Sequence, residues 1–150
     1  MSQASKDIVM NMWRTFSTRD EGKIRDCFTE DAVWIAPPRN ATAIAAGKPD
    51  VTRMNRQEIA DFIAHDVGRV FTNIQIDFTG LYGEGDVVTL QSRYRATLAN
   101  GRSYDVDYCW VFKTRDGRVA EMREYMDTLA GFRQIFGEDS VKAGQALIEA

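Results

Sequence analysis

Ile8, Met12, Trp13 and Phe16 recur at helical spacing near the start of the chain, which predicts an amphipathic helix from about Ser5 to Ser17. A second, short helix follows Asp20, with Ile24, Cys27 and Phe28 on its buried side. Ala32-Val-Trp-Ile-Ala36 has the character of a strand and stops at Pro37-Pro38, which supply no ladder donors. From Pro37 to Met54 small residues, Pro, Gly, Asn and Thr dominate, the composition of a long loop that serves as a functional rim or lid. Asn55 and Glu58 are spaced as a capping pair that opens a helix through Phe71, with Ile59, Phe62, Ile63, Val67, Val70 and Phe71 as its core stripe.

The period then changes from that of a helix to that of a strand. Ile74–Tyr82, Val87–Leu98, Ser103–Lys113 and Val119–Asp127 are predicted strands, separated by turn chemistry at Gly83-Glu-Gly-Asp86, Ala99-Asn-Gly101 and Arg115-Asp-Gly117. A helix over Thr128–Phe136 and a weaker tail helix to Ala150 close the chain. Helices first and an antiparallel meander afterwards is an α+β arrangement, with the helices packed on one face of the sheet. No repeat or linker divides the sequence, so one domain over 1–150 is expected, with 137–150 as a C-terminal extension.

Composition narrows the picture by exclusion. The chain has 150 residues, of which 44% are hydrophobic and 27% charged, enough to bury one real core. A net charge of -3 gives no basic field for nucleic acid, and no apolar run approaches the roughly 20 residues that cross a bilayer. The first residues lack the charged start and apolar core of a signal peptide. Cys27 and Cys109 lie far apart in apolar surroundings without metal-ligand spacing, as free thiols in a reducing cytoplasm would. With a single histidine and no matched carboxylate spacing, neither a metal nor another cofactor is expected. His65 reads as a boundary residue on the edge of its helix's core stripe.

The last predicted hairpin carries the chemistry. Met122, Glu124 and Met126 share one strand face, and Arg123, Tyr125 and Asp127 share the other, because side chains alternate. A carboxylate between two methionines, with Tyr108 and Trp110 on the neighbouring strand, is costly unless that face is solvated or the carboxylate is used. Desolvation there would raise the Glu124 pKa from about 4.3 towards neutrality, which suits proton transfer. The competing reading is a structural ion pair with Arg93 or Arg95, both expected to face the cavity. Arg123, opposite Asp105 and Asp107, reads instead as part of a polar outer network or a dimer contact. Trp13, Phe16, Trp34 and Phe132 are core-sized residues, some of which would line a cavity.

The order of elements, together with Phe28-Thr-Glu-Asp-Ala-Val-Trp34 ahead of a proline, Asp116-Gly-Arg-Val119 and Arg123-Glu-Tyr-Met-Asp127, resembles the nuclear transport factor 2-like superfamily. Within it the chain resembles the SnoaL-like polyketide cyclase, ketosteroid isomerase and limonene epoxide hydrolase branches. The resemblance implies a cone in which a curved antiparallel sheet wraps the helices around a deep apolar pocket. It also implies a homodimer through the outer face of the sheet. Carried residue by residue, the isomerase chemistry is missing: its general base falls on Ala36, its oxyanion tyrosine on Met12, and its protonated aspartate on Tyr108 or Cys109. The epoxide hydrolase acid falls on Glu124, and its Arg-x-Asp pair on Gln91-Ser-Arg93 or Arg93-Tyr-Arg95, so its water-activating aspartate is absent in either register. The cyclase branch uses one deep acidic residue, a place Glu124 could fill.

The expectation is therefore a cofactor-independent pocket protein that acts on a small apolar organic molecule by acid/base chemistry. Glu124, Arg93 and Tyr108 are its candidate catalytic residues. Trp13, Trp34, Arg95, Trp110, Met122, Met126 and Phe132 are its candidate substrate contacts. A non-catalytic binding or association module and an epoxide hydrolase with altered residues are the alternatives.

Overall fold

A computed structural model describes residues 2–137, so the tail helix anticipated up to Ala150, and all of the C-terminal extension past Gly137, lie outside the described residues. Helix α1 (Ser2–Phe16) buries Val9, Met12 and Phe16 along one stripe. Helix α2 (Glu21–Asp26) is capped by Asp20, whose side chain accepts from the Lys23 amide and satisfies one of the helix's orphan donors. Strand β1 (Phe28–Ile35) begins earlier than its apolar run suggests. Exposed Glu30 and Asp31 interrupt its alternation, and its pairing register shifts between Phe28 and Val33.

The long segment after Pro37 is more ordered than its composition implies. Asn40 caps a short helix α3 (Ala41–Ala45), and β2 (Arg53–Asn55) pairs antiparallel with β1. The helix expected from Asn55 is present but divided into α4 (Arg56–Asp61), a π-helical turn (Phe62–Asp66) and α5 (Val67–Val70). Both halves of the Asn55/Glu58 capping box form. Phe71 is already extended (φ -125°, ψ 139°) and opens β3 (Phe71–Glu84) instead of ending the helix.

Strands β4 (Val87–Leu98), β5 (Ser103–Arg115) and β6 (Arg118–Met126) follow, then helix α6 (Thr128–Phe136). The six strands form one sheet in the order β2-β1-β6-β5-β4-β3. Neighbours are antiparallel except β1 and β6, which run parallel, so the sheet is mostly antiparallel, with the expected meander in β3 to β6. The β5–β6 turn places Asp116 (φ 52°) and Gly117 (φ 74°) both in the left-handed region, the geometry of the tightest hairpin connection. Two register shifts in β3, at Thr72/Gln75 and Phe78/Gly80, are irregularities of the kind that bend a strand, here around the helices.

Alternation sorts the sheet into two faces. Val88, Leu90, Ser92, Val106, Tyr108, Trp110, Phe112 and Met122 point inward and are buried with Met12, Ile24 and Ile59 from the helices. Gln91, Arg93, Arg95 and Asp107 point outward and are exposed. Among the described residues no helix is long and apolar enough to cross a membrane.

Candidate active site

A cavity of about 770 Å³ opens between the helices and the inner face of the sheet. Its walls come from the end of α1, from the segment after Pro37, from the π-helical turn and from β3, while Tyr94, Tyr108, Trp110 and Glu124 reach it from β4, β5 and β6. This volume suits a small organic ligand.

Three indoles shape one side. Trp110 meets Trp13 edge to face at 5.2 Å and Trp34 at 5.8 Å between ring centroids, and it stacks on Tyr108 at 5.3 Å. The Trp110 Nε1–H donates to Ser92 Oγ at 3.3 Å. The Nε1–H groups of Trp13 and Trp34 are buried at the cavity without a hydrogen-bond partner among the described residues, whereas the hydroxyl of Thr42 lies within reach of the Tyr104 and Tyr108 phenols. An orphaned buried donor costs about 1–3 kcal/mol, so the two indole groups are poised for an acceptor brought in from outside.

Glu124 lies directly across the ladder from Trp110, with Tyr108 opposite Met126 one step on. Its side chain keeps partial accessibility because it faces the cavity, while protein surrounds it on every other side. No described residue gives it a hydrogen bond or an ion pair, and burial alone pushes its pKa up to about 8. At neutral pH it is mostly a carboxylic acid, able to donate a proton and, once ionised, to take one back. The Tyr104 and Tyr108 hydroxyls are hydrogen-bonded at 2.7 Å. Burial raises both phenols, Tyr104 to about 12 and Tyr108 well above its usual value, so each stays a neutral donor.

Of the residues singled out from sequence, Trp13, Trp34, Tyr108, Trp110 and Glu124 come together at the cavity. The others do not. Arg93 points outward, where its Nε and Nη2 donate to Asp105 at 2.7 and 2.8 Å, and Arg95 pairs with Asp77 on the same outer surface. The reason is parity: burying Leu90, Ser92 and Tyr94 leaves the odd positions of β4 to solvent. Arg93 therefore cannot orient a ligand in the cavity, and Arg95 cannot touch one there, contrary to the expectation from sequence. The carboxylate that an epoxide hydrolase would need beside Arg93 does exist, in Asp105, but on the wrong side of the sheet. Met122 faces inward yet is sealed in the core opposite Phe112, Met126 packs close to Gly131, and Phe132 meets Phe136. None of these three lines the cavity.

Sequence reasoning missed Tyr94, Thr42 and Phe62 as wall residues. Tyr94 was legible, since it shares parity with Leu90. Thr42 was not, because it sits on a helix hidden in a loop-like composition. Elsewhere, Glu21, Asp61 and His65 place one ligand atom each within 4.8 Å of one another. The His65 Nε2···Glu21 Oε2 contact of 3.1 Å accounts for that cluster as a surface pair.

Comparison with known proteins places this geometry. Residues 9–122 match the family model described as a SnoaL-like domain, a stretch that stops just short of Glu124. No curated protein matches. Among solved structures, a nuclear transport factor 2-like protein of unknown function from Burkholderia pseudomallei superposes with a TM-score of 0.74 at 22% identity, covering 91% of this chain and 99% of that one. A structure described as a putative SnoaL-like polyketide cyclase from Jannaschia gives 0.72 at 19%, over 90% and 93% of the two chains. An epoxide hydrolase from M. tuberculosis, described as similar to limonene epoxide hydrolase, gives 0.70 at 14%, over 99% and 98%. At such identities these likenesses speak for the fold. The chain belongs to the SnoaL-like domain family, and it shares the fold of nuclear transport factor 2-like proteins.

Proposed function

We propose that the protein is a cofactor-independent enzyme that binds a small, largely apolar organic molecule and moves a proton on it with Glu124. The observation that carries this reading is a carboxyl group at the wall of an apolar cavity, unpaired among the described residues and held protonated at neutral pH by burial. Glu124 would first donate its proton to a substrate oxygen. The carboxylate left behind would then remove a proton from carbon, and the acid is restored without any net consumption. Tyr108, close enough for its phenol to feel the charge of Glu124, would hold the same oxygen by hydrogen bonding.

This cycle serves isomerisation, cyclisation or dehydration. Epoxide hydrolysis is less well served, since it needs a second group to activate water, and Glu124 is the only carboxyl among the described cavity-lining residues. A homodimer through the outer face, with its Arg93, Arg95 and Tyr125, is part of the same proposal and can be checked by sedimentation. Turnover by wild type and Glu124→Gln is to be compared across a panel of enones, epoxides and polyketide-like substrates. Native mass spectrometry identifies any retained ligand. Unchanged turnover of an accepted substrate by Glu124→Gln would sink the role given to that residue. A ligand that is bound but never converted would favour the non-catalytic binding module.

A further inference from the structure

The charged groups at the cavity are unevenly distributed. Among the described residues Glu124 is the one acidic group in the wall, whereas Arg14, Arg19 and Lys48 all border it. Lys48 is neutralised by Asp66 at 2.7 Å. Arg19 has no acidic partner among the described residues: its Nη1 donates to the uncharged Ile63 carbonyl at 2.8 Å, and although burial pushes the Tyr94 phenol up, the Arg19 charge acts on it in the opposite direction. Arg14, exposed on the last turn of α1, forms no hydrogen bond or ion pair through its side chain with any described residue.

An exposed arginine at a helix C-terminus is ordinary by itself, because the helix dipole favours it. Here two guanidinium groups without an acidic partner among the described residues line the same cavity, five positions apart and at least partly reached by solvent, and a third observation bears on what they face. The buried polar atoms that lack partners include the indole N–H groups of Trp13 and Trp34, which can only donate. The cavity thus presents hydrogen-bond donors along its wall and positive charge at its opening, with one protonated acid that repels no anion.

We infer that the cavity takes organic acids, molecules whose apolar body lies along Trp13 and Trp34 while one anionic oxygen group is held at the opening by Arg14 and Arg19. This deepens the reading of a ligand-binding cavity and rests on it. A carboxylate matches the fork of a guanidinium in two parallel hydrogen bonds, which fixes the orientation of the ligand as well as its affinity. Orientation matters for the proposed chemistry, because tethering one end at the opening decides which atom reaches Glu124.

A matched pair of ligands tests this: pyrene-1-butyrate and pyrene-1-butanamide, which differ in charge and share the apolar body. Binding is followed by pyrene fluorescence at low salt for wild type, Arg14→Gln and Arg14→Gln/Arg19→Gln. The acid should bind about tenfold more tightly than the amide in wild type. Arg14→Gln should reduce that ratio to about threefold, and the double variant should abolish it, with amide affinity unchanged throughout. The Arg14 side chain is exposed and forms no hydrogen bond or ion pair with a described residue, so its single variant carries the test if the double variant is unstable. Equal affinities in wild type, or a ratio untouched by both variants, overturn the inference and leave the ligand cavity standing. Failure of both compounds to bind overturns the cavity reading along with it.

Discussion

On the outer face of the sheet, Arg93 pairs with Asp105 and Arg95 with Asp77, while among the described residues the cavity wall inside carries a single carboxyl, without a partner. Outside, each charge has an opposite charge and water beside it, so the pairs form easily and contribute little. Inside, Glu124 has neither, and the energetic penalty of burial appears as a displaced pKa. Charge density is thus a poor guide to chemistry in this molecule. Isolation of a charge is the better one.

This contrast between the two faces is most exposed to test at Glu124 itself. Glu124→Gln keeps the shape and removes the proton, and should reduce turnover about a hundred- to ten-thousandfold in steady-state assays of any substrate found. The next effect concerns stability. The folded pKa of about 8 lies above the ordinary 4.5, so between those values the folded state holds a proton that the unfolded state has lost. Stability contributed by protonated Glu124 is complete below about 4.5 and declines as pH rises to about 8, at up to about 1.4 kcal/mol per pH unit. Urea melts of wild type and Glu124→Gln should agree near pH 4 and diverge in favour of the variant by pH 8. Parallel curves would mean that Glu124 is solvated.

Two smaller effects separate the inner face from the outer one. Tyr104→Phe removes the 2.7 Å bond to Tyr108 and should cost about 1 kcal/mol in the same melts. On the outer face, Arg93→Gln should cost less than about 1 kcal/mol, a loss that shrinks with added salt, and should leave turnover unchanged. A large loss of activity from Arg93→Gln would mean that the outer surface takes part in the reaction after all.

Much of the fold was legible because its signals are local. The Asn55/Glu58 capping box, the hairpin at Asp116-Gly117 and the limits of β4 and α6 follow from spacing alone. The parallel seam between β1 and β6 was not legible, since pairing between distant segments leaves no periodic trace. At the site, the inward set Tyr108, Trp110 and Glu124 follows from strand parity. Arg93 and Arg95 were misplaced by giving weight to their chemistry over that same parity, which Leu90 and Tyr94 had already fixed. Met122, Met126 and Phe132 show a different limit: facing inward does not decide between cavity and solid core, because that depends on how deep the helices reach.

The seam has a consequence for the order of assembly. Trp34 and Met122 are register partners although most of the chain lies between them, whereas β3 to β6 are linked by short turns. Closing a long loop is entropically slower than zipping successive hairpins, which implies that β1 docks on β6 after the meander exists. Glu124 would stay hydrated through most of folding and lose its water only when Trp34 arrives. Val33→Ala, at the seam beside Glu121, should then speed unfolding while leaving the folding rate nearly unchanged in a chevron measurement. The cavity that makes the carboxyl unusual would be the last part of the molecule to form and the first to open.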